Sequence, residues 1–275
     1  MTTDPSTLTI GLSPCPNDTF MFHGLLTGLV PLADLSVQPH LLDIEELNRR
    51  ALDPARALAV TKLSVAAYGR VRDRYDLLDS GAAMGSGCGP LVVRGRERND
   101  LPDLASLSRR RIAIPGELTT AALLLRLLGP ADAFVVPMRF DLVMPAVQRG
   151  AVDAGVIIHE SRFTYENHGL VAVADLGSLW ELRTKMPIPL GVVAARRDLG
   201  SRTRLAVSAA LRASIALARR QPHVSAEFVR QHARELSEDV CRRHIDLYVN
   251  DWSESMGPVG RLAIQQLLEA GDSVG

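Results

Sequence analysis

Cysteine is scarce: three residues, at 15, 88 and 241, odd in number and widely scattered. That set excludes a disulfide framework and matches no paired zinc spacing, so a reducing compartment and no metal are expected. Net charge is missing too, with 31 Lys and Arg against 31 Asp and Glu. Nothing in that balance suggests a polyanionic partner, and no nucleic acid is expected. Arg109-Arg110-Arg111 and Arg196-Arg197 are short runs, read as solvated faces or helix ends. No apolar stretch approaches the roughly 18 residues of a membrane-spanning helix, which argues against a membrane partner. The opening Met1 to Ser6 has neither the basic region nor the apolar core of a secretory signal, and the expected location is the cytoplasm.

What is present suits a folded α/β chain. Of 275 residues, 47% are apolar and 23% charged, enough for one large domain or two smaller lobes. Strand-like runs alternate with helical ones nearly throughout, the pattern of a mainly parallel sheet. Strands are expected at Leu8–Leu12, Ala57–Val60, Leu91–Val93, Arg111–Ile114, Phe134–Pro137, Ala154–Ile158 and Leu190–Ala194. Helices are expected at 19–29, 43–53, 62–70, 121–128 and 144–149, then at 203–220, 225–236, 238–249 and 259–270. The chain is expected to leave a larger lobe after Val93 and return near Leu190. Residues 1–93 with 190–275 then form one lobe and 94–189 the other, with a cleft between them.

Four stretches carry chemistry. In Ser13-Pro-Cys-Pro-Asn-Asp18 two prolines fix the backbone, and Asn17 or Asp18 can cap the following helix, whose free amides suit a carboxylate. The same residues also read as a rigid turn without a ligand. Cys15 has no base at a recognisable spacing and is a weak candidate nucleophile. Pro115-Gly-Glu-Leu-Thr-Thr-Ala121 repeats the arrangement: one of Thr119 and Thr120 caps, and the other is surplus. Gly85-Ser-Gly-Cys-Gly-Pro90 lacks the lysine of a P-loop and leads into a strand, so it reads as a loop bordering the cleft or crossing between the lobes. His159 follows the apolar run Ala154–Ile158, where α/β folds put reactive groups, and serves either as a base or as a strand-end hydrogen-bonding group. Glu160 and Arg162 orient it or pair with each other. His159-Glu160 is not a zinc signature, because Phe163 stands where the second histidine would. His232 and His244 fall at helical spacing among apolar residues and read as core-edge packing, while His23 could face either way. Trp180 and Trp252 sit in loop-like surroundings.

Taken in order, Ser13–Phe20, Gly87–Leu91, Pro115–Ala121, Asp153–Tyr165, Pro187–Gly191 and His244–Asn250 resemble the 1,4-dihydroxy-6-naphthoate synthases of the futalosine route to menaquinone. The resemblance runs from about residue 8 to 270. It implies a two-lobed fold like the type II periplasmic binding proteins, used as a lyase on cyclic dehypoxanthinylfutalosine. It implies His159 as the general base and Thr119 and Thr120 as the anion-binding pair. Ser13, Asn17, Lys62, Ser64 and Ala121 complete the expected substrate-binding set. The expected partner is a small aromatic carboxylate; a homodimer is left open. No cofactor is needed, because the new aromatic ring supplies the driving force. The alternatives are a chorismate dehydratase of the same pathway and a non-catalytic solute-binding protein.

Overall fold

Strand and helix do alternate, and the strands sort into two sheets. The structure is a computed structural model describing residues 7–32, 35–233 and 237–274. The chain begins β1 (Thr7–Leu12), α1 (Pro16–Leu26), β2 (Ser36–Leu41), α2 (Ile44–Leu52), β3 (Val60–Ser64), α3 (Val65–Gly69), β4 (Tyr75–Leu77) and β5 (Ala83–Gly85). It continues through β6 (Leu91–Gly95), β7 (Arg111–Ile114), α4 (Thr120–Leu128), β8 (Phe134–Pro137), α5 (Val143–Gln148), β9 (Ala154–Ile157), α6 (Ser161–Thr164), β10 (Leu170–Asp175) and α7 (Leu176–Thr184). Then come β11 (Ile188–Arg196), α8 (Gly200–Arg220), α9 (His223–His232), α10 (Glu238–Tyr248), α11 (Asp251–Glu254) and α12 (Gly257–Asp272).

The first sheet has the order β2-β1-β3-β11-β4, with β5 also paired to β11. The second has the order β10-β6-β9-β7-β8. Both are mixed: β1 runs parallel to β2 and β3, whereas β11 is antiparallel to β3. In the second sheet β7 is parallel to β8 and β9, whereas β6 is antiparallel to β9 and β10. All of β6 pairs within the second sheet, so sheet membership changes between Gly85 and Leu91, a few residues before Val93. On the return, β11 begins at Ile188.

Local chemistry explains most element ends. Asp43 caps α2 by accepting from the Glu45 amide at 3.0 Å, and Arg49 and Arg50 fill its last turn against the helix dipole. Proline is tolerated at the first helical position, so α1 starts at Pro16 rather than Thr19. Cys15 is its N-cap, without a side-chain cap bond; Asn17 and Asp18 lie inside the first turn and cap nothing. The strand expected at Ala57–Val60 lies instead at Val60–Ser64, and the helix expected from Lys62 begins at Val65. Every residue of Val-Thr-Lys-Leu-Ser is buried, which no alternation of polar and apolar residues would announce. Trp180 is a buried residue of α7, and Trp252 lies in α11, so neither is a loop residue. The helix expected over 225–236 is α9, and Leu236 lies outside the described residues.

One apolar cluster joins the sheets, with Leu63 and Val192 of the first and Val92, Ile112 and Val156 of the second packed with Leu124, Trp180 and Leu267. A second cluster packs Ile10, Leu12 and Phe22 against Leu211 and Ile215 of α8. These two cores hold the strand ends and helix starts that face each other across a cavity.

Candidate functional site

That cavity comprises about 640 Å³ of space outside the atoms, open solvent included, and it lies where residues of both sheets meet. Ser13, Asn17, Lys62, Ser64, Thr119, Thr120, Ala121 and His159 all line it. Asp18, Cys88, His244 and Tyr248 line it as well, and these were not among the expected site residues. His244 is buried as expected, but at the cavity wall.

The Ser13–Asp18 turn organises one wall. Asp18 accepts from the Ser13 amide at 3.2 Å and the Ser13 hydroxyl at 2.8 Å. Its other oxygen lies 3.1 Å from Lys62 Nζ, an ion pair whose side chains are 4% and 2% exposed. Lys62 also donates to the Gly81 carbonyl at 2.8 Å. The negative charge at the start of α1 is therefore supplied by Asp18 itself, and Lys62 neutralises it. An anionic ligand finds its amides elsewhere.

Those amides are at α4. Thr119 caps the helix, accepting from the Ala122 amide at 3.1 Å and donating to the Gly116 carbonyl at 2.9 Å. Thr120 donates to the Leu190 carbonyl at 2.7 Å, tying α4 to β11. Both hydroxyls are thus spent on the fold, and the surplus threonine is a structural tie. The amides of Glu117 and Leu118 are taken by the Glu45 carboxylate at 3.1 Å each. Gly116, at φ +131°, is required there because a Cβ would come within 2.5 Å of that carboxylate. What the first turn of α4 leaves for a ligand are the amides of Thr120 and Ala121, which have no intrahelical partner. Ser64 completes this side: its hydroxyl accepts from Asn48 at 3.0 Å, so its own proton is free to donate.

His159 closes the cavity from just beyond β9. Its φ of +57° is left-handed, a backbone state that costs a non-glycine residue about 1–3 kcal/mol and concentrates at functional sites. Nδ1 lies 3.3 Å from Cys15 Sγ, and Phe140 packs edge-on with ring centres 4.9 Å apart. Nε2 is buried and has no hydrogen-bond partner. Burial, followed by the charge of Glu160, pushes the Cys15 thiol well above its ordinary pKa. The sulfur therefore stays protonated and is a hydrogen-bond partner rather than a nucleophile. Burial likewise raises Cys88, to about 12. The Arg162 guanidinium pairs with Asp175 at 2.6 Å and donates to the Gly89 carbonyl at 2.6 Å, so its partners are neither His159 nor Glu160, whereas its backbone amide donates to the His159 carbonyl at 3.3 Å.

One trio among the described residues, Cys15, His159 and Glu160, brings ligand atoms within 4.8 Å of one another. Its donor types suit zinc, but the thiol would first have to lose the proton that burial and Glu160 hold on it. The glycine-dense loop is no phosphate cradle. Gly89 lacks a Cβ because one would lie 2.3 Å from the Gly177 backbone, where α7 begins against the loop.

Residues 8–273 match the family described as menaquinone biosynthesis. The chain belongs to that family. A 1,4-dihydroxy-6-naphthoate synthase of Thermus thermophilus is 47% identical over 270 residues, covering 98% of this chain and 95% of that one. Its counterpart from Streptomyces coelicolor is 44% identical over 268 residues, covering 95% and 92%. Among solved structures, a protein of Archaeoglobus fulgidus superimposes with a TM-score of 0.90 at 35% identity, over 98% of both chains. A Candida albicans protein described as having the generic periplasmic binding protein fold gives 0.72 at 14% identity, covering 97% of this chain and 90% of that one. That likeness concerns fold alone: this member of the menaquinone-biosynthesis family has the two-sheet architecture of periplasmic binding proteins. Among its described residues no helix is long and apolar enough to cross a membrane.

Proposed function

We propose that this chain is a carbon–carbon lyase converting cyclic dehypoxanthinylfutalosine to 1,4-dihydroxy-6-naphthoate in the cytoplasm, with His159 as general base. The observation that carries the reading is an imidazole at the cavity wall whose Nε2 is buried and unpartnered. If Nδ1–H donates to Cys15 Sγ, the lone pair sits on Nε2, the tautomer a base needs. The left-handed backbone at His159 supports it, since such strain persists where a side chain must be aimed.

The aromatic carboxylate is held by the amides of Thr120 and Ala121 and the Ser64 hydroxyl. The Lys62–Asp18 pair contributes little net field, being neutral. Thr119 and the ties of Thr120 and Glu45 keep the turn in place. His159 then removes an acidic C–H or O–H proton; the freed electron pair drives cleavage of the carbon–carbon bond to the sugar-derived part, the ring becomes aromatic, and the sugar-derived fragment takes up the electrons of the broken bond together with a proton and is released. The first sheet and the second head two lobes, divided between β5 and β6 and between α7 and β11. Their closure excludes water from the proton transfer.

The test is incubation of the purified chain with cyclic dehypoxanthinylfutalosine, following naphthoate by mass spectrometry. His159→Asn, a residue that tolerates the left-handed backbone, should lower turnover about a hundredfold or more while substrate binding persists. Turnover close to that of the parent overturns the base. Turnover of chorismate instead would make the chain a dehydratase, and tight binding without any turnover a solute-binding protein.

A further inference from the structure

Behind the Asp18 wall runs a line of hydrogen bonds that ends on a second histidine. Lys62 pairs with Asp18, and Asn17 Nδ2 donates to the same Asp18 oxygen at 3.0 Å. The amide oxygen of Asn17 lies 3.0 Å from His244 Nε2. A carboxylate only accepts, so Asn17 turns its NH2 to Asp18 and its oxygen to His244. An amide oxygen also only accepts, so His244 carries its proton on Nε2. A neutral imidazole has one N–H, which leaves Nδ1 an acceptor, and this atom is buried without a partner. Burial, followed by the proximity of His159, holds the His244 pKa well below the ordinary histidine value, so the ring stays neutral. The ring lies between Tyr248, with centroids 4.6 Å apart, and His159, near-parallel at 6.3 Å, and it lines the cavity.

We propose that His244 is a substrate-binding residue whose unprotonated Nδ1 accepts a hydrogen bond from a hydroxyl on the sugar-derived part of the ligand. The Lys62–Asp18–Asn17 line fixes its tautomer. The assignment rests on the substrate proposed above, and it gives the cavity a polarity. Amides at α4 take the anion, whereas a lone pair on α10 repels an anion and takes a donor. An unpaired buried acceptor is costly, and a ligand hydroxyl satisfies it.

Two measurements test this. In the first, nitrogen-15 spectra of the histidine-labelled parent report which nitrogen of His244 carries hydrogen; Nε2–H is expected, and Nδ1–H overturns the proposal. In the second, binding is measured in the slow-turning His159→Asn chain, before turnover becomes significant, with and without His244→Gln. Glutamine keeps a donor for Asn17 but places no acceptor at the Nδ1 position, and circular dichroism checks its fold. Affinity for cyclic dehypoxanthinylfutalosine should fall about tenfold, and affinity for 2-naphthoate, which has no hydroxyl, by less than about twofold. An equal loss for both ligands, or no loss for either, overturns the proposal while leaving the lyase reading standing. A His159→Asn chain that binds 2-naphthoate but not the futalosine derivative overturns the lyase reading and, with it, the hydroxyl partner.

Discussion

Replacing Lys62 with methionine isolates the electrostatics of the cavity wall. The substitution keeps the stem and removes the ammonium, stranding Asp18 with its side chain 2% exposed. Breaking a buried pair by deleting one partner costs about 3–5 kcal/mol. Asp18 retains the Ser13 amide, the Ser13 hydroxyl and the Asn17 amide group, which argues for the lower end, about 3 kcal/mol. At about 2.1 cal/mol/K per residue of unfolding entropy, that lowers Tm by about 5 °C for 275 residues. Differential scanning calorimetry of Lys62→Met, Asp18→Asn and the double variant reads the effect. The double variant should lose about 2 kcal/mol less than the two single losses added together, because the neutral amide introduced by Asp18→Asn no longer needs the cation. Strict additivity, or a Tm drop below about 1 °C for Lys62→Met, would refute the reasoning.

Gly89→Ala should destabilise by about 3 kcal/mol or more, seen as a lower urea midpoint, because its Cβ meets Gly177 backbone rather than a movable side chain. Thr120→Val removes the tie to the Leu190 carbonyl and should cost about 1–2 kcal/mol; an unchanged midpoint would show that the tie is dispensable. Asp79 should set part of the acid limit. Burial raises its pKa, but the Ser255 hydroxyl, the Gly257 amide, Arg261 and Arg212 together bring it below the ordinary value. A depressed folded-state pKa stabilises above the unfolded value of about 3.9, and the gain is lost as pH falls through the folded value. Asp79→Asn should therefore lower Tm at pH 7, with a gap that narrows below about pH 4; a gap independent of pH would count against the assignment.

The family motifs and the cavity residues were legible because their cues are local. Pro14 and Pro16 fix a turn, Thr119 caps a helix, and an apolar run delivers His159 to a strand end whatever surrounds it. The same locality explains the misses. The expected strand and helix around Lys62 were displaced because a buried strand carrying Thr61, Lys62 and Ser64 reads as polar until Asp18, Asn48 and Gly81 are known to satisfy it. No expectation covered β10 or α7, the latter having little amphipathic contrast, and so Trp180 read as loop.

Composition and strand–helix alternation were enough to reach the α/β class, and turn chemistry picked out Asn17, Thr119 and Thr120, since each depends on neighbours within a few positions; the family and the rest of the expected wall came from the resemblance of the motifs. What only the tertiary structure decided was how those residues are spent. Glu45, 72 positions before Glu117, occupies amides that looked free for a ligand. His244, 227 positions after Asn17, joins a wall its own helix pattern assigned to packing. Hydrogen-bond donors and acceptors are committed by contact in space, and spacing along the chain carries no record of which partner arrives first.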